Sequence, residues 1–92
     1  MQNDAEVHKR EGDLWCCISG EVVFTCGGDL VDPSPVRNLD GTENLDELKA
    51  KTIRRGTKII MRPGDWLWIP PGQSHQHVCK RTGRLFIIKI KD

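Results

Sequence analysis

The sequence predicts an all-β domain, and three observations carry that prediction. Turn signals recur every few residues: Gly12-Asp13, Ser19-Gly20, Gly27-Gly28, Pro33 to Pro35, Gly41, Gly56, Pro63-Gly64-Asp65, Pro70-Pro71-Gly72 and Thr82-Gly83. The runs between them are short and rich in β-branched, aromatic and sulfur-bearing residues, which suit a pleated, half-buried surface. The chain has 92 residues, enough for one domain (residues 1–92) and one thin core. Many short strands with glycine and proline punctuation indicate a sandwich or a barrel.

Six strands are expected, in order: Leu14 to Ser19, Val22 to Cys26, Lys58 to Arg62, Trp66 to Ile69, His75 to Cys79 and Leu85 to Ile90. One stretch reads differently. Asn44 is a good N-cap with Glu47 three residues on, as in a capping box. Glu47 and Lys51 are spaced i,i+4, and Leu45 and Leu48 share a helical face. The expectation for residues 44–51 is a short helix or a loop outside the sheets, the only helix expected.

The most informative spacing lies near the C-terminal end. Gly64, Pro70, Gly72 and His75 stand as G-x5-P-x-G-x2-H. Pro63-Gly64-Asp65 turns the chain, Trp66 to Ile69 forms a strand, and Pro70-Pro71-Gly72 turns it back. His75 then opens the next strand, projected from a rigid scaffold. This spacing resembles the second motif of the cupin superfamily. The family's first motif has two candidate registers near His8. With His8 as its first histidine, Arg10 takes the second place and the later spacing fails. With His8 as the second histidine, Glu6 takes the first place, Asp13 follows after four residues and Gly20 after six more. Gly27-Gly28 matches a turn of small single-domain bacterial cupins.

The resemblance implies a cupin barrel, a jelly-roll-like double-stranded β-helix, holding one divalent metal ion on Glu6, His8, Asp13 and His75. Glu replaces the usual first histidine and Asp the usual glutamate. Cys79 stands where the second motif often has Asn. Only seven residues precede His8, so the barrel is expected to be open at one edge and covered by a second subunit.

The side chains are chemically coherent without the resemblance. Glu6 and His8 are two apart and face one way on a strand. Two imidazoles with two carboxylates suit Mn, Fe, Ni, Co or Zn, and the extra carboxylate favours Mn or Fe. Trp15, Cys17, His77 and Cys79 are expected to line the pocket. Trp66 and Trp68 share the opposite role: one strand face, read as core or dimer interface ahead of substrate stacking.

Composition narrows the function classes. Fourteen basic and thirteen acidic residues nearly cancel. The densest basic cluster, Lys51, Arg54, Arg55 and Lys58, reads as a solvated surface, which argues against nucleic acid as a partner. No apolar run approaches a membrane span, and residues 1–10 lack a signal-peptide core, so a cytoplasmic protein is expected. Cys16, Cys17, Cys26 and Cys79 contain no Cys-x-x-Cys pair and are expected to be free thiols. A core this small favours a homodimer. Three functions stay open: a metal-dependent enzyme of dioxygenase or isomerase type acting on a small molecule, a non-catalytic small-ligand sensing module, and a metal-free barrel.

Overall fold

The computed structural model describes residues 4–91. Among these residues there are nine strands and no helix. They are β1 (Ala5–His8), β2 (Glu11–Cys26), β3 (Asp29–Leu30), β4 (Ser34–Arg37), β5 (Glu43–Ala50), β6 (Ile53–Arg54), β7 (Thr57–Met61), β8 (Trp66–Ile69) and β9 (His75–Lys91). All six expected strands lie within or against these elements. Consequently no described helix is long and apolar enough to cross a membrane.

Seven strands form one sheet in the order β4-β5-β1-β9-β2-β7, with β8 also paired to β2. A small ribbon of β3 and β6 stands apart. The frame is the long antiparallel ladder of β2 and β9, running from Glu11 opposite Lys91 to Cys26 opposite His75. On the far side of β2, β8 pairs with Asp13 to Cys16 and β7 with Val22 to Cys26.

This ladder does not run straight. Sixteen extended residues span about 50 Å, yet the longest extent of the molecule is 37 Å. The register of β2 on β9 shifts between Cys17 and Ser19 and again between Ser19 and Glu21. Gly20 sits there with φ 74°, a conformation that glycine adopts without steric cost. The bulge bends both strands and changes which parity faces inward, from Asp13, Trp15 and Cys17 to Val22, Phe24 and Cys26. The two halves of the ladder then face each other, with the Trp15 and Phe24 rings 5.4 Å apart. Between them lies the core of Cys17, Val22, Phe24, Cys26, Met61 and Ile69. The sheet is thus folded on itself, and its pairings close no complete ring among the described residues.

Several local expectations are corrected. Residues 44–51 are not a helix or a loop: Glu43–Ala50 is a strand between β4 and β1. Two helical turns are marginal alone, whereas the ladders on both sides satisfy the backbone of this segment. Its capping signal has another use, as the Asn44 side-chain oxygen accepts from the Asp46 N–H at 3.0 Å. Ser19-Gly20 and Thr82-Gly83 are not turns but the two sides of the bulge, and both strands run on through them. The turn expected at Gly12-Asp13 falls at residues 9–10 instead. Gly12 lies inside β2, where the Trp68 ring occupies the space a Cβ would need. Pro35, expected in a turn, lies in β4, an edge strand that tolerates proline.

Candidate metal centre

β1 carries the first part of the site. Its residues alternate, with Ala5 and Val7 buried and Glu6 and His8 on the other face. Glu6 stands directly opposite His75 of β9, and His8 directly opposite Glu47 of β5. The Pro70-Pro71-Gly72 turn is tied to the same place, because the Gly72 N–H donates to the His8 carbonyl at 2.8 Å. Asp13 arrives from the folded-over end of β2 and is almost wholly buried. Glu6, His8 and His75 therefore form one group, and Asp13 stands beside its two histidines, although the four come from three strands and both ends of the β2–β9 ladder.

The distances define a small cluster. Glu6, His8 and His75 each bring one ligand atom within 4.8 Å of the others. Glu6 Oε2 lies 3.0 Å from His8 Nε2. Asp13 Oδ2 lies 3.8 Å from His8 Nε2 and 3.4 Å from His75 Nε2.

Both imidazoles are held by their outer nitrogens. His8 Nδ1 is 3.0 Å from Glu47 Oε1, and His75 Nδ1 is 3.3 Å from the Gln73 carbonyl oxygen. Oxygens of these kinds only accept, so each Nδ1 carries the proton and donates it. Each Nε2 is then a lone pair directed at the cluster when its ring is neutral. Second partners of this kind fix the tautomer of metal-ligating histidines.

The result is a concentration of acceptors. His8 Nε2 and Asp13 Oδ2 are buried with no hydrogen-bond partner among the described residues. The 3.0 Å contact of His8 with Glu6 has ion-pair length without hydrogen-bond alignment. Two lone pairs facing two carboxylates require a positive charge between them. Without a metal, a proton on His8 serves: the Glu6 carboxylate beside it raises its pKa, against the opposing effect of burial. Glu6 is correspondingly lowered, first by its contact with His8. His75 is lowered by burial and is held towards its neutral form.

Lys89 supplies the remaining local charge. Its Nζ donates to Asp13 Oδ1 at 3.0 Å and lies 3.2 Å from Glu11 Oε1. Burial works to lower its pKa, but the Asp13 and Glu11 carboxylates outweigh it and the net shift is upward. One Asp13 oxygen is thereby neutralised and the other left over.

The cluster opens onto a cavity of about 250 Å³ whose walls include Trp15, His77, Ile87 and Lys89. Trp15 and His77, expected as pocket residues, are on that wall. Their rings are 5.3 Å apart, and burial lowers the His77 pKa. Cys17 and Cys79, expected there too, sit elsewhere: Cys17 is in the core cluster and Cys79 packs against it.

Sequence reasoning missed Glu47 and Lys89. Glu47 falls in the stretch expected to be a short helix or a loop. Lys89 had a usable signal, being a lone charge on the inward-facing parity of an apolar strand with Leu85 and Ile87. Comparison with protein-family models, curated proteins and solved structures finds no match to this chain.

Proposed function

We propose that this chain is a small cupin that binds one divalent metal ion on Glu6, His8, Asp13 and His75. The observation that carries this reading is the pair of buried, unpartnered acceptors, His8 Nε2 and Asp13 Oδ2. Ligand atoms about 2.1 Å from one ion stand about 3.0–3.5 Å apart. The 3.0 Å contact of Glu6 with His8 and the 3.4 Å contact of Asp13 with His75 fall in that range, and the 3.8 Å separation of Asp13 from His8 lies just beyond it. The hydrogen bonds of Nδ1 to Glu47 and Gln73 are those a metal-ligating histidine needs.

The ion would supply a Lewis acid beside the cavity, in a donor set suited to Mn or Fe. The chain's own residues do the rest. The cavity is below the volume usual for drug-sized ligands, so the ligand is a small molecule. Trp15 Nε1, buried without a partner on a side chain lining the cavity, offers an N–H to a ligand oxygen. His77, neutral through burial, can accept a proton. A metal-dependent enzyme acting on a small oxygen-bearing molecule, of dioxygenase or isomerase type, is the reading these groups favour.

Metal analysis of untagged protein purified without chelator tests the proposal. About one equivalent of Mn or Fe is expected. His75→Ala should abolish it, and His77→Ala should retain it. Absence of metal from the wild type after incubation with each candidate ion at neutral pH would refute the reading.

A further inference from the structure

We infer that the outer face of the β8-β2-β9 half-sheet is a dimer interface, covered in solution by the same face of a second copy of this chain. The registers give the face its composition. Leu14 of β2 lies between Trp68 and Ile88, and Cys16 between Trp66 and Phe86; Ile90 follows opposite Gly12. The inward parity of these strands, Asp13, Trp15 and Cys17, serves the core and the metal cluster. The outward parity therefore has no part in either.

The large side chains flanking the half-buried Leu14 are exposed. Trp66 is 57%, Trp68 46%, Phe86 47%, Ile88 40% and Ile90 48% accessible. A face open to water would be expected to alternate apolar-in with polar-out, yet these strands are apolar on both sides. The three half-exposed aromatic side chains alone present roughly 300 Å². With the isoleucines the patch reaches about 500 Å², the upper part of what a monomer displays. Two such faces packed together would remove about 1,000 Å² from water, the threshold for a specific interface.

A second copy suits the patch for three reasons. The face is a sheet, and sheets pack face to face at about 10 Å. The rows between β8 and β9 carry no charged side chain that would select a charged partner. The chain itself, with fourteen basic and thirteen acidic residues, does not repel its own kind. A two-fold axis in the interface along β2 would set the tryptophans of each copy over Phe86, Ile88 and Ile90 of the other, which satisfies the isologous pairing of a symmetric dimer.

Sedimentation equilibrium of the wild type, Trp66→Lys, Ile88→Lys and Leu39→Lys tests this. The wild type should sediment at twice 10.4 kDa. Each face variant should keep its strand circular dichroism and raise the dimer dissociation constant about 30-fold or more, the loss expected of a central interface residue. Leu39, fully exposed in the β4–β5 loop, should tolerate lysine with no change. A wild-type monomer at 100-fold dilution steps throughout the micromolar range would overturn the inference. So would a dimer that survives both face substitutions, or one that Leu39→Lys dissociates equally well. Should the face variants fail to fold, acrylamide quenching of the wild type decides. Quenching should fall as the concentration rises through dimerisation, and concentration-independent quenching would contradict the interface.

Discussion

An acid stands 3.0 Å from each nitrogen of His8: Glu47 accepts from Nδ1, and Glu6 lies beside Nε2 without hydrogen-bond alignment. The Glu47 contact decides which nitrogen faces the cluster, so it governs metal affinity without Glu47 being a ligand. Glu47→Ala should weaken metal binding about 10–100-fold in isothermal titration, the usual cost of removing such a partner. Protonation gives a second test. The folded-state pKa of His8 is raised, so its contribution to metal-free stability is fully present below the unfolded value, near 6.5. It is lost as pH rises through the folded pKa. His75 and His77 are lowered and are neutral in both states above that range. With chelator present, His8 should therefore make the melting temperature fall as pH rises above about 6.5. With metal the trend should reverse, because the ion must displace the His8 proton. Parallel melting curves with and without metal would contradict this account. At this scale the shared face of Glu6 and His8 was legible, since positions two apart on a strand point the same way, and so was the placement of His75 at the start of a strand after the Pro70-Pro71-Gly72 turn. Glu47 was not legible: its neighbours satisfy helix rules, and only the cross-strand pairing with His8 reveals its task.

Two elements give the site its shape. β5 supplies Glu47, and its identity as a strand shows tertiary pairing overriding a short helical pattern. The β2 bulge brings Asp13 to His75, and no periodicity in the sequence announces it. Ser19-Gly20 reads as a turn because glycine signals both a turn and a bulge. The difference lies in β9, whose opposing residues keep their pairing on both sides of Gly20. Gly20→Ala tests the bulge. An alanine held at φ 74° should cost about 1–2 kcal/mol. For a domain of this size that lowers the melting temperature by roughly 4–8 °C per kcal/mol. A melting temperature unchanged by this substitution would mean that the bulge relaxes readily. The Gly27-Gly28 turn, by contrast, was read correctly: a Cβ on Gly28 would come within 2.4 Å of the Arg54 carbonyl oxygen.

Over the whole molecule, the all-β class was legible because glycine and proline interrupt every apolar run. How the sheet folds over was not, since it depends on the bulge and on pairings between distant segments such as β1 with β9. The shared face of Trp66 and Trp68 was legible from period-two alternation, and its exposure takes it out of the core, which leaves it open to the interface inferred above. No disulfide joins Cys16, Cys17, Cys26 or Cys79. Stability therefore rests on packing, and a reducing agent should leave the melting temperature within about 1 °C, far less than loss of a disulfide would produce.

The central claim is that the unpartnered acceptors of the folded sheet exist to hold a cation. Anomalous diffraction from crystals of chelator-free protein grown with Mn tests it most directly. A single peak is predicted, about 2.0–2.3 Å from Glu6, His8 Nε2, His75 Nε2 and Asp13 Oδ2. No peak there, with His8 Nε2 instead protonated against Glu6 at neutral pH, would contradict the account.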